Sequence, residues 1–103
     1  MKKIMLGVLA LCSALGCRAE SRGFISVGEA EFAKAIEVEG VQIVDARTTS
    51  EYASGHIAGA INIDVNGTEF DAEVAKLDKN RPVAVYCRSG RRSKIAAERI
   101  SAL

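Results

Sequence analysis

This 103-residue chain has little with which to bind zinc. It holds one histidine, His56, and three cysteines, of which Cys12 and Cys17 fall within the first 17 residues. Cys87 is therefore the only cysteine in the body of the domain. A single thiol builds no disulfide framework. One thiol with one imidazole does not make a four-ligand zinc site from this chain alone, so neither metal nor cofactor is expected. Excess charge is also lacking, with 14 Lys/Arg against 13 Asp/Glu, which gives no footprint for nucleic acid. The N-terminal apolar run, Ile4 to Gly16, has 13 residues, short of the roughly 20 that span a bilayer. There is no internal repeat and no low-complexity segment.

What is present begins with an export pattern. Lys2 and Lys3 precede the apolar run, and Ser13, Ala14, Leu15, Gly16 and Cys17 follow its core. This is the layout of a secretory signal peptide. Its end reads in two ways. Ala14-Leu15-Gly16-Cys17 resembles a bacterial lipoprotein box, with Ala where Leu is usual and Leu15 where a small residue is usual. On that reading Cys17 is lipidated and the lipid anchor attaches the protein to a membrane. On the other, cleavage after Gly16 or Ala19 releases a soluble exported protein. An uncleaved N-terminal anchor is the third reading. The expected organisation is a signal over 1–17, a polar tether over 18–23 and one domain over 24–103. The expected location is the bacterial periplasm or cell envelope. Beyond Cys17 there are 12 Lys/Arg and 13 Asp/Glu, a net charge of −1. The charge is unevenly placed: Arg81 to Lys94 holds five basic residues and no acid, around Cys87.

Strand and helix patterns alternate along the domain. Ile25-Ser26-Val27 reads as a short strand. Ser26-Val27-Gly28-Glu29 reads as a capping box opening a helix to about Val38, with Phe32 and Ile36 buried and Gly40 as its stop. Val41 to Ala46 is a buried strand pattern that includes Asp45. Thr48-Thr49-Ser50-Glu51 is a second capping box, and Gly55 ends its short helix. Ala60 to Ile63 reads as a strand. Phe70, Val74 and Leu77 predict an amphipathic helix over Thr68 to Lys79. Pro82 suits the opening of a strand over Val83 to Tyr86. Arg91 to Leu103 is helical, with Ile95, Ala96, Ile100 and Leu103 inward. The class is α/β, a small, mainly parallel sheet flanked by helices, in which ligands gather at the carboxyl ends of strands. Asp45 and Cys87 both lie at such ends.

The thiolate is the reactive form of cysteine, and three features around Cys87 favour it. Arginines lie nearby, a helix N-terminus follows, and Ser89-Gly90 lets the backbone N–H groups curl into an anion nest. The bland alternative is a buried cysteine beside solvated arginines. Two motifs decide between them. Val44-Asp45-Ala46-Arg47, Glu51-Tyr52 and Gly55-His56-Ile57-Ala58-Gly59-Ala60-Ile61-Asn62-Ile63 resemble the first signature of the rhodanese-like domain. Cys87-Arg88-Ser89-Gly90-Arg91-Arg92-Ser93 resembles its active-site loop, in the same order and at a similar separation.

The resemblance implies a single-domain sulfurtransferase. Cys87 would take a sulfur from a small sulfur-containing anion such as thiosulfate and pass the persulfide sulfur to a thiol or cyanide acceptor. Backbone N–H groups from Arg88 through Ser89, Gly90, Arg91 and Arg92 to Ser93 would cradle the persulfide. Arg92, with Arg88 or Arg91, would bind the donor. Asp45 and Arg47 read as supports for the loop and sheet edge. His56 reads as a structural hydrogen-bonding residue rather than a base, and Glu51 as a helix cap. The rival is a phosphatase or arsenate reductase on the same fold, whose loop has five residues between Cys and Arg. Here four separate Cys87 from Arg92, and Ser93 stands where that Arg would be.

Members of the family usually continue past the point where this chain ends, through another strand and helix. That strand lies between the first strand and the one leading to the active cysteine. Its absence is expected to leave two strands without a neighbour, and to invite a strand-donating partner or self-association. A non-catalytic binding remnant or a sulfur-carrier module of the envelope follows as the alternative function.

Overall fold

The structure, a computed structural model, describes residues 4–8, 20–21 and 24–102. Cys17 and the small residues before it lie outside the described residues, so the lipidation and cleavage readings have no structural counterpart here.

Six strands and four helices follow in the order β1 (Ile4–Val8), β2 (Glu20–Ser21), β3 (Phe24–Val27), α1 (Glu29–Ala35), β4 (Gln42–Asp45), α2 (Thr49–Ser54), β5 (Ile61–Asn62), α3 (Phe70–Val74), β6 (Val83–Cys87) and α4 (Arg91–Ala102). They form one sheet, ordered β2-β3-β1-β6-β4-β5. Every pairing is parallel except the short contact by which β2, in the expected tether, meets β3. The expected α/β class with a mainly parallel sheet is what the structure has.

The centre of the sheet holds the main difference from expectation. β1 lies between β3 and β6, pairing Ile4 with Phe24 on one side and with Val83 on the other. The place reserved for a strand from beyond the C-terminus is thus taken by part of the apolar run read as a leader. The physical reason is plain. Strands of a parallel sheet often read as near-continuous apolar runs, and periodicity does not separate them from other apolar segments.

Strand β6 is buried throughout, and its side chains alternate between two cores, as a strand requires. Val83 and Val85 join one core with Val44, Phe70, Val74, Ala96, Ala97 and Ile100. Ala84 and Tyr86 face the other, with Phe32 and Ala60. Helix α4 packs through Ser93, Ala96, Ala97 and Ile100. Small residues let it approach the sheet closely. Arg99 fastens it to α3, donating to Val65 O and Asp71 and lying 4.2 Å over the Phe70 ring.

Local readings fared unevenly. The Thr48 capping box is present: Thr48 Oγ1 accepts from Glu51 N–H, and Glu51 Oε1 accepts from Thr48 N–H. The Ser26 box is not. Ser26 is held in β3, and Gly28 caps α1 without a side-chain bond. Pairing with β1 extends the chain at Ser26 and displaces the local cap. Helix α3 covers only Phe70–Val74, with turns on either side in place of the expected Thr68 to Lys79 helix. Ile95, expected inside, is 42% exposed.

Candidate active site

Strand β6 delivers Cys87 to the carboxyl edge of the sheet, where the side chain is fully buried. The chain then turns through Arg88, Ser89 and Gly90 into α4. Gly90 has φ +92°, a backbone conformation that a side chain would strain. That turn aims the Gly90 N–H at Cys87 Sγ, 3.0 Å away, and the Ser93 N–H reaches the same sulfur at 3.3 Å. Ser93 Oγ lies 3.5 Å from the sulfur and 3.2 Å from Gly90 O. With a neutral thiol the protons run from Sγ to Ser93 Oγ to Gly90 O. On ionisation the single hydroxyl proton can turn to the sulfur instead. Burial pushes the Cys87 thiol up, but hydrogen bonds from the Ser93 side chain and from the N–H groups of Ser93, Gly90 and Ser89 outweigh it and hold the thiol below its ordinary value.

The loop's cations are not equivalent. Arg92 turns to Glu51, giving it two hydrogen bonds of 2.7 and 3.1 Å. That pairing first, together with the Thr48 N–H, holds the Glu51 carboxyl down at about 2. Glu51 is thus more than the helix cap read from sequence, because it also carries the active-site loop. Arg88 and Arg91 are exposed and make no ion pair among the described residues. Among the described residues the loop's cations without an ion pair are therefore Arg88 and Arg91, whereas Arg92 is paired with Glu51.

Asp45 sits at the end of β4, opposite Tyr86 in the register, and is fully buried. Its carboxylate accepts from the Arg47 backbone at 2.9 Å, from the Arg47 guanidinium at 2.8 to 3.2 Å and from Tyr86 Oη at 2.8 Å. Burial acts to raise this carboxyl, and those donors together hold it below the usual range. Arg47 also donates to Gly55 O. Burial above all pushes the Tyr86 phenol up to about 12, keeping it a neutral donor. Asp45 and Arg47 are thus joined to each other and to Tyr86, the residue before Cys87. Sequence reasoning missed Tyr86 as a member of this network, although its position one residue before Cys87 on a buried strand was the available signal.

A cavity of about 230 Å3 opens beside Cys87, lined by Arg47, Gly55, His56, Ile57, Tyr86, Cys87 and Arg88. His56 Nδ1 lies 2.7 Å from Tyr52 O, and its ring stacks on that of Tyr52 at 3.6 Å with planes 6° apart. Among the described residues there is no cluster of side chains able to hold a metal ion. The chemistry available is that of a buried, hydrogen-bonded thiolate facing a small cavity with one free arginine on its wall.

Comparisons with known proteins show the family to which the chain belongs. The family model described as "Rhodanese-like domain" matches residues 29–103. The chain is 40% identical over 58 residues to Thiosulfate sulfurtransferase PspE of Escherichia coli (strain K12), covering 56% of each chain. It is 40% identical over 68 residues to Thiosulfate sulfurtransferase GlpE of Pseudomonas fluorescens (strain SBW25), covering 65% of this chain and 60% of that one. It is 36% identical over 59 residues to Putative sulfur carrier protein YrkF of Bacillus subtilis (strain 168), covering 57% and 31%. The matches thus cover less than two thirds of the length of these relatives. No solved structure matches.

Proposed function

Because the chain belongs to the rhodanese-like domain family, we propose that it is a sulfurtransferase working through a persulfide on Cys87. The observation that carries this reading is the cradle: a buried sulfur at a strand end receiving N–H groups from Gly90 and Ser93. The Cys87 thiolate attacks the outer sulfur of thiosulfate, the donor's S–S bond breaks, and sulfite leaves with the bonding pair. The same N–H groups then hold the persulfide. Arg88 and Arg91, the unpaired cations of the loop, attract the anionic donor. Ser93, where a phosphate-binding loop would place arginine, and Arg92, drawn off to Glu51, argue against phosphoryl chemistry.

The test is direct. The purified chain exposed to thiosulfate should gain the mass of one sulfur atom and release sulfite, and Cys87→Ser should do neither. Equal behaviour of the two proteins defeats the reading.

A second reading is a sulfur carrier that loads but turns over slowly. The likeness to a relative named a putative sulfur carrier favours it. Fast loading with slow discharge to every acceptor is its signature, whereas rapid discharge supports the enzyme.

The Lys2-Lys3 start, the apolar run and the small residues before Cys17 support export to the periplasm or envelope, with Cys17 as the lipid-bearing residue. N-terminal mass analysis of the protein made in a bacterial host checks this. A chain that retains Met1 to Gly16 in the cytoplasmic fraction overturns it.

A further inference from the structure

We propose that His56 is the proton acceptor for a small thiol that receives the sulfur from Cys87. This role rests on the sulfurtransferase reading and names the acceptor class for the same site.

The two halves of the reaction differ in their need for a base. Loading from thiosulfate moves no proton. Unloading onto a thiol does, because an ordinary thiol, with a pKa of about 8.5, is mostly protonated near neutral pH. The cavity beside Cys87 must therefore supply a proton acceptor or leave the step to solvent.

Among the residues lining that cavity, only His56 offers one. Arg47 and Arg88 are donors without acceptor capacity, and Gly55 and Ile57 bring no polar side chain. The Tyr86 hydroxyl is already engaged, donating to Asp45 and accepting from the Ile57 N–H at 3.0 Å. The tautomer of His56 is set by its partner. A carbonyl only accepts, so the 2.7 Å contact with Tyr52 O places the proton on Nδ1. In the neutral ring Nε2 then carries the lone pair, and it has no partner within the described protein.

The ring is also held still. It lies flat on Tyr52, whose hydroxyl is tied to Ala60 O at 2.7 Å. A base bound on one nitrogen, stacked and open on the other is arranged for proton transfer. At about 230 Å3 the cavity is smaller than the roughly 300 to 1,000 Å3 of pockets for drug-sized ligands, which fits a low-molecular-weight thiol.

The step balances as follows. His56 Nε2 takes the proton of the acceptor thiol. The resulting thiolate sulfur bonds to the outer sulfur of the persulfide. The bond from that sulfur to Cys87 Sγ breaks, and its electron pair stays on Cys87 as thiolate. The product leaves as a small persulfide anion, and the proton passes from the imidazolium to water.

The experiment separates this step from the one before it. Wild type, His56→Asn and His56→Ala are loaded with thiosulfate, cleared of donor, and discharged either with 2-mercaptoethanol or with sulfite. Sulfite is already an anion at pH 8 and needs no base. His56→Asn keeps a side-chain amide able to bond Tyr52 O. It should load normally and discharge to sulfite at the wild-type rate, but to 2-mercaptoethanol about 100-fold more slowly, the ordinary worth of a general base. Added imidazole should restore thiol discharge to His56→Ala. Unchanged thiol discharge in both variants, or equal slowing with both acceptors, overturns the role of His56. A wild-type chain that never loads overturns the sulfurtransferase reading and this role with it, and it is recognised before any acceptor is added.

Discussion

Tyr86 Oη and Asp45 Oδ2 meet at 2.8 Å across the paired strands β6 and β4. The phenol occupies the position before Cys87, and the carboxylate holds Arg47 with its other contacts. Through the Ile57 N–H the same hydroxyl also fixes the backbone next to His56. One buried oxygen therefore ties the thiol strand, the Asp45 strand end and the cavity wall together. Tyr86→Phe should lower stability by about 1–3 kcal/mol, because it leaves buried hydrogen-bonding groups underpaired while hardly changing shape. Urea unfolding should show an earlier midpoint with an unchanged slope. An unmoved midpoint refutes the bridging role.

The Glu51–Arg92 pair sets an acid limit. Glu51 titrates at about 2 in the folded protein against an ordinary 4.5. A depressed carboxyl contributes stability that is fully present above the ordinary value and fades as pH falls toward the folded one. Stability should therefore decline from about pH 4.5 downward. Glu51→Gln should be less stable at pH 6 but lose less between pH 6 and pH 3. Asp45, also held low, keeps part of the acid response in the variant. Parallel loss in both proteins counts against the pair.

Ser93 supplies two of the contacts that favour the Cys87 thiolate, and Ser93→Ala removes only the hydroxyl. The pH profile for alkylation of Cys87 should move to higher pH. Loading from thiosulfate should slow by about tenfold or more, as expected for one lost hydrogen bond to a charged group. Iodoacetamide kinetics between pH 5 and 10 measure the first, and mass analysis of loading measures the second. An unmoved profile shows that the backbone N–H groups suffice.

Deleting residues 1–17 takes β1 out of the sheet. Both β3 and β6 then lose a parallel neighbour, and the ladder groups of the strand that carries Cys87 are exposed. The shortened chain, which is also what processing at Cys17 would leave, should show an earlier and broader urea transition than the full chain. A transition as sharp and late as that of the full chain shows that β1 is dispensable.

Much of the site was legible because it is local. The Cys87 loop, the Thr48 capping box and the alternation of strand and helix depend on neighbours within a few residues. What stayed hidden is long-range. Arg92 and Glu51 lie 41 residues apart, and nothing in either segment announces that the loop's last arginine is spent on a helix cap. Ser26 shows the reverse: its box satisfies the local rule, but strand pairing offers the backbone a better partner. The hydrogen-bonding role expected of His56 is present, whereas the expectation that it is not a base is the part the proposal above departs from. Which nitrogen that bond occupies, and so which one it leaves open, required the position of Tyr52 O.

Ile4–Val8 places two processes in competition for one segment. With the export role proposed above, the translocation machinery needs these residues free of the domain, whereas the sheet needs them zipped between β3 and β6. A segment engaged by one is denied to the other. The history of the chain, meaning which event comes first, then decides whether the strand bearing Cys87 is bridged when the thiol first meets its donor.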